Sequence, residues 1–258
     1  MVDSLTRDFT RREAAVISAA RTIADGEAVF IGQGLPVIAA LFAKRTHAKN
    51  SVIMHEYGVV DTDPPFALEL AHPIFADNAL YLSDMIDALG CLVLESDVAI
   101  LGTAQIDRYG NMNTTSIGNY LSPKLRISGS GGANDIGSLA SKLVVIMDNQ
   151  QANKFVERVD YVTTPGFFRG GMKTREKLFL LGSGPSIVVT DLGVYRFSRA
   201  TGEMYLEALQ HGVTLEEVRR NTGWKINVAR PLRTCERPTE DEVRLLRALD
   251  PQKVYLRA

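Results

Sequence analysis

The chain of 258 residues has only two cysteines and one tryptophan. Cys91 and Cys235 lie far apart, with no C-x-x-C and no cysteine–histidine ligand spacing, which argues against a disulfide framework and a zinc site. Such sparing use suits a reducing compartment, and a cytoplasmic location is the expectation. An excess of charge of one sign is lacking too. The 29 basic and 30 acidic residues nearly cancel and no polybasic run occurs, so neither nucleic acid nor an anionic membrane is expected as a partner. No apolar run approaches bilayer-spanning length, and the start, MVDSLTRDFTRR, is charged with no apolar segment after it. A Walker A lysine and a full G-x-G-x-x-G are both missing, which weakens nucleotide-fold readings.

What is present alternates between short β-branched runs and helical stretches. Thr10 and Glu13 form a capping box before an amphipathic stretch with Ala14, Ile17, Ala20 and Ala24 on one face, closed by Gly26. The run AVFI (28–31) enters the loop GQGLP, and Pro36 opens a second helix, VIAALFAK. SVIM (51–54) ends at His55 and Glu56 beside Gly58. Further runs occur at DVAIL (97–101), KLVVIM (142–147) and SIVVT (186–190). GVYRF and EMYLEAL read as a hairpin, and Thr239 with Glu242 caps a last helix stopped by Pro251. No repeat, linker or low-complexity segment interrupts the pattern. The expectation is one α/β domain over 1–258, with an open, mostly parallel sheet flanked by helices.

Three glycine-bearing loops, at 32–36, 109–118 and 128–135, are read as following apolar strands, where backbone N–H groups can approach a ligand. In SGSGGAND the glycines leave the backbone unobstructed and ANDIGSLA can begin a helix that favours an anion; the alternative is that these glycines only make tight turns. Glu56 follows a buried strand, precedes a glycine-bearing turn and has no lysine or arginine within several residues, so it is the candidate catalytic carboxylate. A capping or salt-bridged glutamate with a distant partner is the alternative. His55 alternates to the opposite side of an extended strand and is expected to be structural.

The segments GQGLP, HEYGVVD, GTAQIDRYGNMNTTSIG, ISGSGGAND and VDYVTTPGF occur in an order and spacing that resembles the β subunits of class I coenzyme A transferases, the glutaconate type in particular. That resemblance implies an open α/β fold, an α subunit of similar fold, an α2β2 assembly and a site where unlike subunits meet. It implies that Glu56 is the nucleophile, that Gly131 helps form an oxyanion hole and that Asn113 supplies an amide there. Gly32, Gly34, Gln105, Asn111, Gly129 and Gly132 are carried over as substrate or CoA contacts. The acetate and 3-oxoacid branches have E-N-G where this chain has Tyr57 between Glu56 and Gly58. The reaction so implied is ping-pong transfer of CoA between an acyl-CoA and a carboxylic acid through a glutamyl-CoA thioester. CoA enters as a substrate component, with no metal and no permanently bound cofactor. A hydrolase or decarboxylase on the same scaffold is the alternative.

Overall fold

In the computed structural model, which describes residues 9–67 and 72–257, a ten-stranded mixed sheet runs through the chain. Its strands are β1 (Ala28–Ile31), β2 (Val52–His55), β3 (Val59–Val60), β4 (Tyr81–Leu82), β5 (Val98–Gly102), β10 (Leu143–Met147), β12 (Pro185–Thr190), β13 (Gly193–Phe197), β14 (Met204–Leu209) and β15 (Asn227–Thr234). Their order is β15-β14-β13-β12-β10-β5-β1-β2-β3-β4. The central five, from β12 to β2, are parallel. Buried on both faces, they need continuous apolar runs: β10 (LVVIM) is buried throughout and β5 (VAILG) at its first four residues. Antiparallel strands close both sides, β13 and β14 as the expected hairpin and β3 and β4 beyond β2. β15 returns parallel to β14 at the far edge.

Helices α1 (Arg11–Ala20), α2 (Leu35–Arg45) and α7 (Glu240–Leu249) cover one face. Both expected capping boxes form: Thr10 Oγ1 accepts the Glu13 N–H at 3.1 Å while Glu13 accepts the Thr10 N–H at 2.7 Å, and Thr239 with Glu242 repeats the arrangement. α1 ends at Ala20, short of Gly26, whose φ of 82° places it in the turn before β1. The helix α2 carries Pro36 in its first turn and buries Val37, Ile38, Leu41 and Phe42, each side chain contributing about 1.5–3 kcal/mol by leaving water.

The other face is covered by smaller pieces. They are the short helices α4 (Ala133–Leu139), α5 (Met172–Lys177) and α6 (Leu215–Arg220), and a three-stranded sheet of β6 (Gln105–Asp107), β7 (Met112–Asn113) and β11 (Phe155–Val156). A separate hairpin, β8 (Ser116–Asn119) with β9 (Ser122–Arg126), stands out from them. The segment 109–118, read in sequence as a loop after an apolar strand, thus contains β7 and half of that hairpin. Likewise 128–135 follows β9, which is mostly exposed rather than an apolar core strand. One turn of α3 (Met85–Asp87), capped by Asp84, runs into a π-helical turn at 88–92.

Arg175 fastens this layer. Its guanidinium is fully buried and donates to the carbonyls of Gly137, Pro165, Gly166 and Gly182 at 2.9–3.1 Å. Burial lowers its pKa to about 10, so it stays charged at neutral pH, its charge spread over peptide dipoles. The C-terminal end of α4, and with it the glycine loop at its other end, is held through this contact.

Candidate active site

The parallel strands β1, β2 and β5 end together, and their following loops form the rim where open α/β sheets bind ligands. At the end of β2 the chain makes a tight turn: the Gly58 N–H donates to His55 O at 2.9 Å and β3 returns antiparallel, with Met54 opposite Val60. Glu56 sits on that turn. Gly58 has φ 92°, and a Cβ there would lie 2.2 Å from Ser83 O, so the E-x-G pattern is fixed by backbone packing.

The Glu56 carboxylate is half-buried and meets the loop that opens α4. Its Oε2 lies 3.0 Å from where a Cβ on Gly132 would sit and 3.9 Å from the same point on Gly131. Desolvation raises its pKa above the ordinary glutamate value; the Gly132 N–H and the Gln33 side chain pull the other way but do not outweigh burial. Among the described residues no lysine or arginine forms an ion pair with it. The salt-bridged alternative therefore has no partner among them.

The neighbours of Glu56 point elsewhere. His55 is fully buried, with its ring 4.9 Å from Tyr57 and 5.1 Å from Phe75, and burial pushes its pKa down to about 3. It is neutral at physiological pH. Tyr57 packs its ring against the helical side of the core beside His55, and burial raises its pKa as well. This is how the chain accommodates a tyrosine in the E-x-G turn.

The glycine loop is arranged for close approach. Gly129 and Gly131 have φ of 94° and 49°. The Ser130 hydroxyl accepts the Asn134 N–H at 3.2 Å, and the Ser130 carbonyl accepts that of Ala133 at 2.9 Å, which fixes the turn into α4. Gly131 is exposed and Gly132 buried; the Gly132 N–H favours the ionised Glu56, and Gly131 lies beside it a little farther from the carboxylate. On the strand side, Gly34 turns the chain with φ 89°. Gly32 is different: its N–H is tied to Ile100 O at 2.9 Å and a Cβ would meet Leu101 at 2.7 Å. It is a packing residue with no free donor for CoA.

The three amides carried over from G-T-A-Q-I-D-R-Y-G-N-M-N also need correction. Asn113 is fully buried and its amide donates to Gln105 Oε1 at 2.8 Å and to Ser116 O at 2.7 Å, leaving no N–H for an oxyanion. Gln105 is taken up by Asn113, Asn153 O and Asp160. Asn111 donates to Asp107 and accepts the Gly166 N–H at 2.9 Å. Asp107 in turn accepts the Tyr109 and Asn111 N–H groups at 3.0 Å around the left-handed Gly110. The segment is a cross-linked scaffold, and none of these amides has been brought to Glu56. Conversely Gln33, which nothing in the sequence singled out, faces the Glu56 carboxylate, with Nε2 buried and without a formed hydrogen bond.

No three His, Cys, Asp or Glu side chains among the described residues are grouped so as to hold a metal ion. Neither cysteine is paired, and no helix among the described residues is long and apolar enough to cross a membrane.

The chain that carries this site has relatives among known proteins. Residues 94–221 match the coenzyme A transferase family. The chain is 34% identical to the B subunit of 3-oxoadipate CoA-transferase from Pseudomonas knackmussii over 94% of both chains. It is also 34% identical to the B subunit of glutaconate CoA-transferase from Acidaminococcus fermentans over 96% of both. The crystal structure of that glutaconate coenzyme A-transferase superimposes with a TM-score of 0.90, covering 99% of this chain and all of the other. A more distant relative, the cholesterol ring-cleaving hydrolase IpdB subunit of Mycobacterium tuberculosis, is 30% identical over 60% of this chain and 61% of its own. With near full-length similarity to two transferase subunits, and the same fold, the chain belongs to the coenzyme A transferase family.

Proposed function

We propose that this chain is the glutamate-bearing β subunit of a two-subunit enzyme that moves CoA between an acyl-CoA and a carboxylic acid, with Glu56 as the covalent nucleophile. The observation that carries this reading is the Glu56 carboxylate itself: half-buried, with no ion-pair partner among the described residues, and set against the Gly131–Gly132 backbone. Partial desolvation makes a carboxylate a better nucleophile, and a nearby N–H can stabilise charge that develops on its oxygen.

In the first step a Glu56 oxygen adds to the thioester carbon, the carbonyl π pair moves to oxygen, and on collapse the C–S bond breaks to release thiolate. The product is an acyl-glutamyl anhydride. The thiolate then adds to the glutamyl carbon and expels the acyl group as its carboxylate, leaving glutamyl-CoA thioester. An incoming acid reverses the sequence. No net proton transfer is required, and CoA serves as substrate. Water must be kept away from the thioester, which calls for a cover over Glu56. The segment beside the site carries exposed Leu80, Leu82, Met85 and Ile86, the last 84% exposed. An α subunit is the proposed cover, consistent with relatives that are themselves one subunit of a transferase. An α2β2 assembly in the cytoplasm completes this reading.

The hydrolase relative supports a second reading in which Glu56 activates water for ring opening or thioester cleavage. Glutaconate and 3-oxoadipate are both dicarboxylates, so dicarboxylic acyl-CoA esters are the substrates to test first. The chain co-expressed with an α-type partner should form acceptor acyl-CoA only when an acceptor acid is supplied, with the isolated chain inactive. Release of free CoA at the same rate with and without acceptor would establish hydrolysis instead.

A further inference from the structure

Gln33 is delivered to the site by a pinned loop. β1 and β2 pair with Ile31 opposite His55, so the next residues along are Gly32 and Glu56, and the Glu56 N–H reaches Ile31 O at 3.4 Å. Gly32 is fixed by its bond to Ile100 and Gly34 turns the chain into α2, which leaves Gln33 little freedom between them. Its Nε2 is buried and forms no hydrogen bond, although the side chain faces the Glu56 carboxylate. An amide carbonyl in that place would repel the carboxylate, so chemistry places the NH2 end toward Glu56. An unsatisfied donor beside an acceptor is a misfit in the resting state, because buried polar groups are normally paired.

We propose that Gln33 Nε2 is the second oxyanion donor for the step at the glutamyl carbon, acting with the Gly132 N–H. The inference rests on Glu56 being the covalent nucleophile. When thiolate adds to the glutamyl carbon of the anhydride, the C=O pair becomes an alkoxide and the carbon turns tetrahedral, which moves the oxygen out of the plane of the resting carboxylate. Collapse restores the carbonyl and breaks the bond to the acyl oxygen, which leaves as carboxylate. A donor near enough to favour the ionised carboxylate, but without hydrogen-bond geometry to it, is weakly engaged at rest and fully bonded to the displaced oxygen in the transition state, and that difference is what accelerates a step.

The test uses the complex with its partner subunit and the variant Gln33→Met, which keeps side-chain length and removes both donors. kcat should fall about a hundredfold to a thousandfold with KM little changed, and glutamyl-CoA thioester on Glu56 should build up more slowly by the same factor. The acid limb of kcat/KM should move to higher pH, since a donor that favours the ionised carboxylate is gone, whereas a merely structural role would move melting temperature and leave that limb in place. Gln33→Asn, with its amide drawn back by one methylene, carries the same expectations if Gln33→Met fails to assemble. Thioester formation at the wild-type rate in the variant, or an unmoved acid limb, overturns the inference. Turnover by wild type without any thioester overturns the nucleophile reading and this inference with it.

Discussion

Burial disfavours the ionised form of Glu56 more than the Gly132 N–H and Gln33 favour it, and this has opposite consequences for stability and for catalysis. Its folded-state pKa is raised by burial, so folding disfavours the ionised form: stability is greatest below the ordinary glutamate range and declines as pH rises through the raised value. The ionised form is also the proposed nucleophile, so kcat/KM should rise with pH through an apparent pKa above the usual glutamate value. Glu56→Gln should therefore raise the melting temperature at neutral pH while abolishing transfer. A lower melting temperature would mark the carboxylate as a structural cap or ion-pair member. At this scale the sequence singled out Glu56 as a candidate, through its strand, its turn and the family resemblance, but gave no sign of Gln33 beside it. A loop amide has no local signature until its neighbours are placed. Asn113, Asn111 and Gln105 misled for a related reason: amides that bind substrates are the same residues that cross-link buried loops.

The glycine loop and α4 act as one element. Ser130 fixes the entry, Gly132 presents its N–H to Glu56, and Arg175 anchors the far end through Gly137. A methyl group on Gly132 would lie 2.4 Å from Leu89 Cδ2 and 3.0 Å from Glu56 Oε2, so Gly132→Ala must displace one or both. Turnover in a correctly assembled complex should drop by about a hundredfold, as for loss of one oxyanion donor. Wild-type kinetics in that variant would remove the loop from the chemistry. The long elements were legible: β-branched runs marked the five parallel strands and two capping boxes marked α1 and α7. Two-residue strands such as β3, β4, β7 and β11 lack the length for a period to register, and the exposed pattern of β9 carries no core signal. They are defined by partners distant in sequence.

Across the whole molecule, Glu56 lies where the parallel strands end, with the antiparallel β3 and β4 and the exposed apolar segment at 80–86 flanking it. The fold therefore brings the Glu56 carboxylate, the glycine loop and a water-exposed apolar surface to one side, an arrangement suited to completion by a second subunit. The sequence conveyed the α/β class and the family, because those rest on pattern over the full chain. What it could not convey is which polar residues end up facing one another across loops. The most direct measurement is mass analysis of the Glu56 peptide after the assembled complex meets acyl-CoA without acceptor acid, followed by borohydride. A thioester on Glu56, reduced to the alcohol by borohydride and absent in Glu56→Gln, is the expected result. An unmodified peptide under conditions where the complex turns over, or continued CoA transfer by Glu56→Gln, would contradict it.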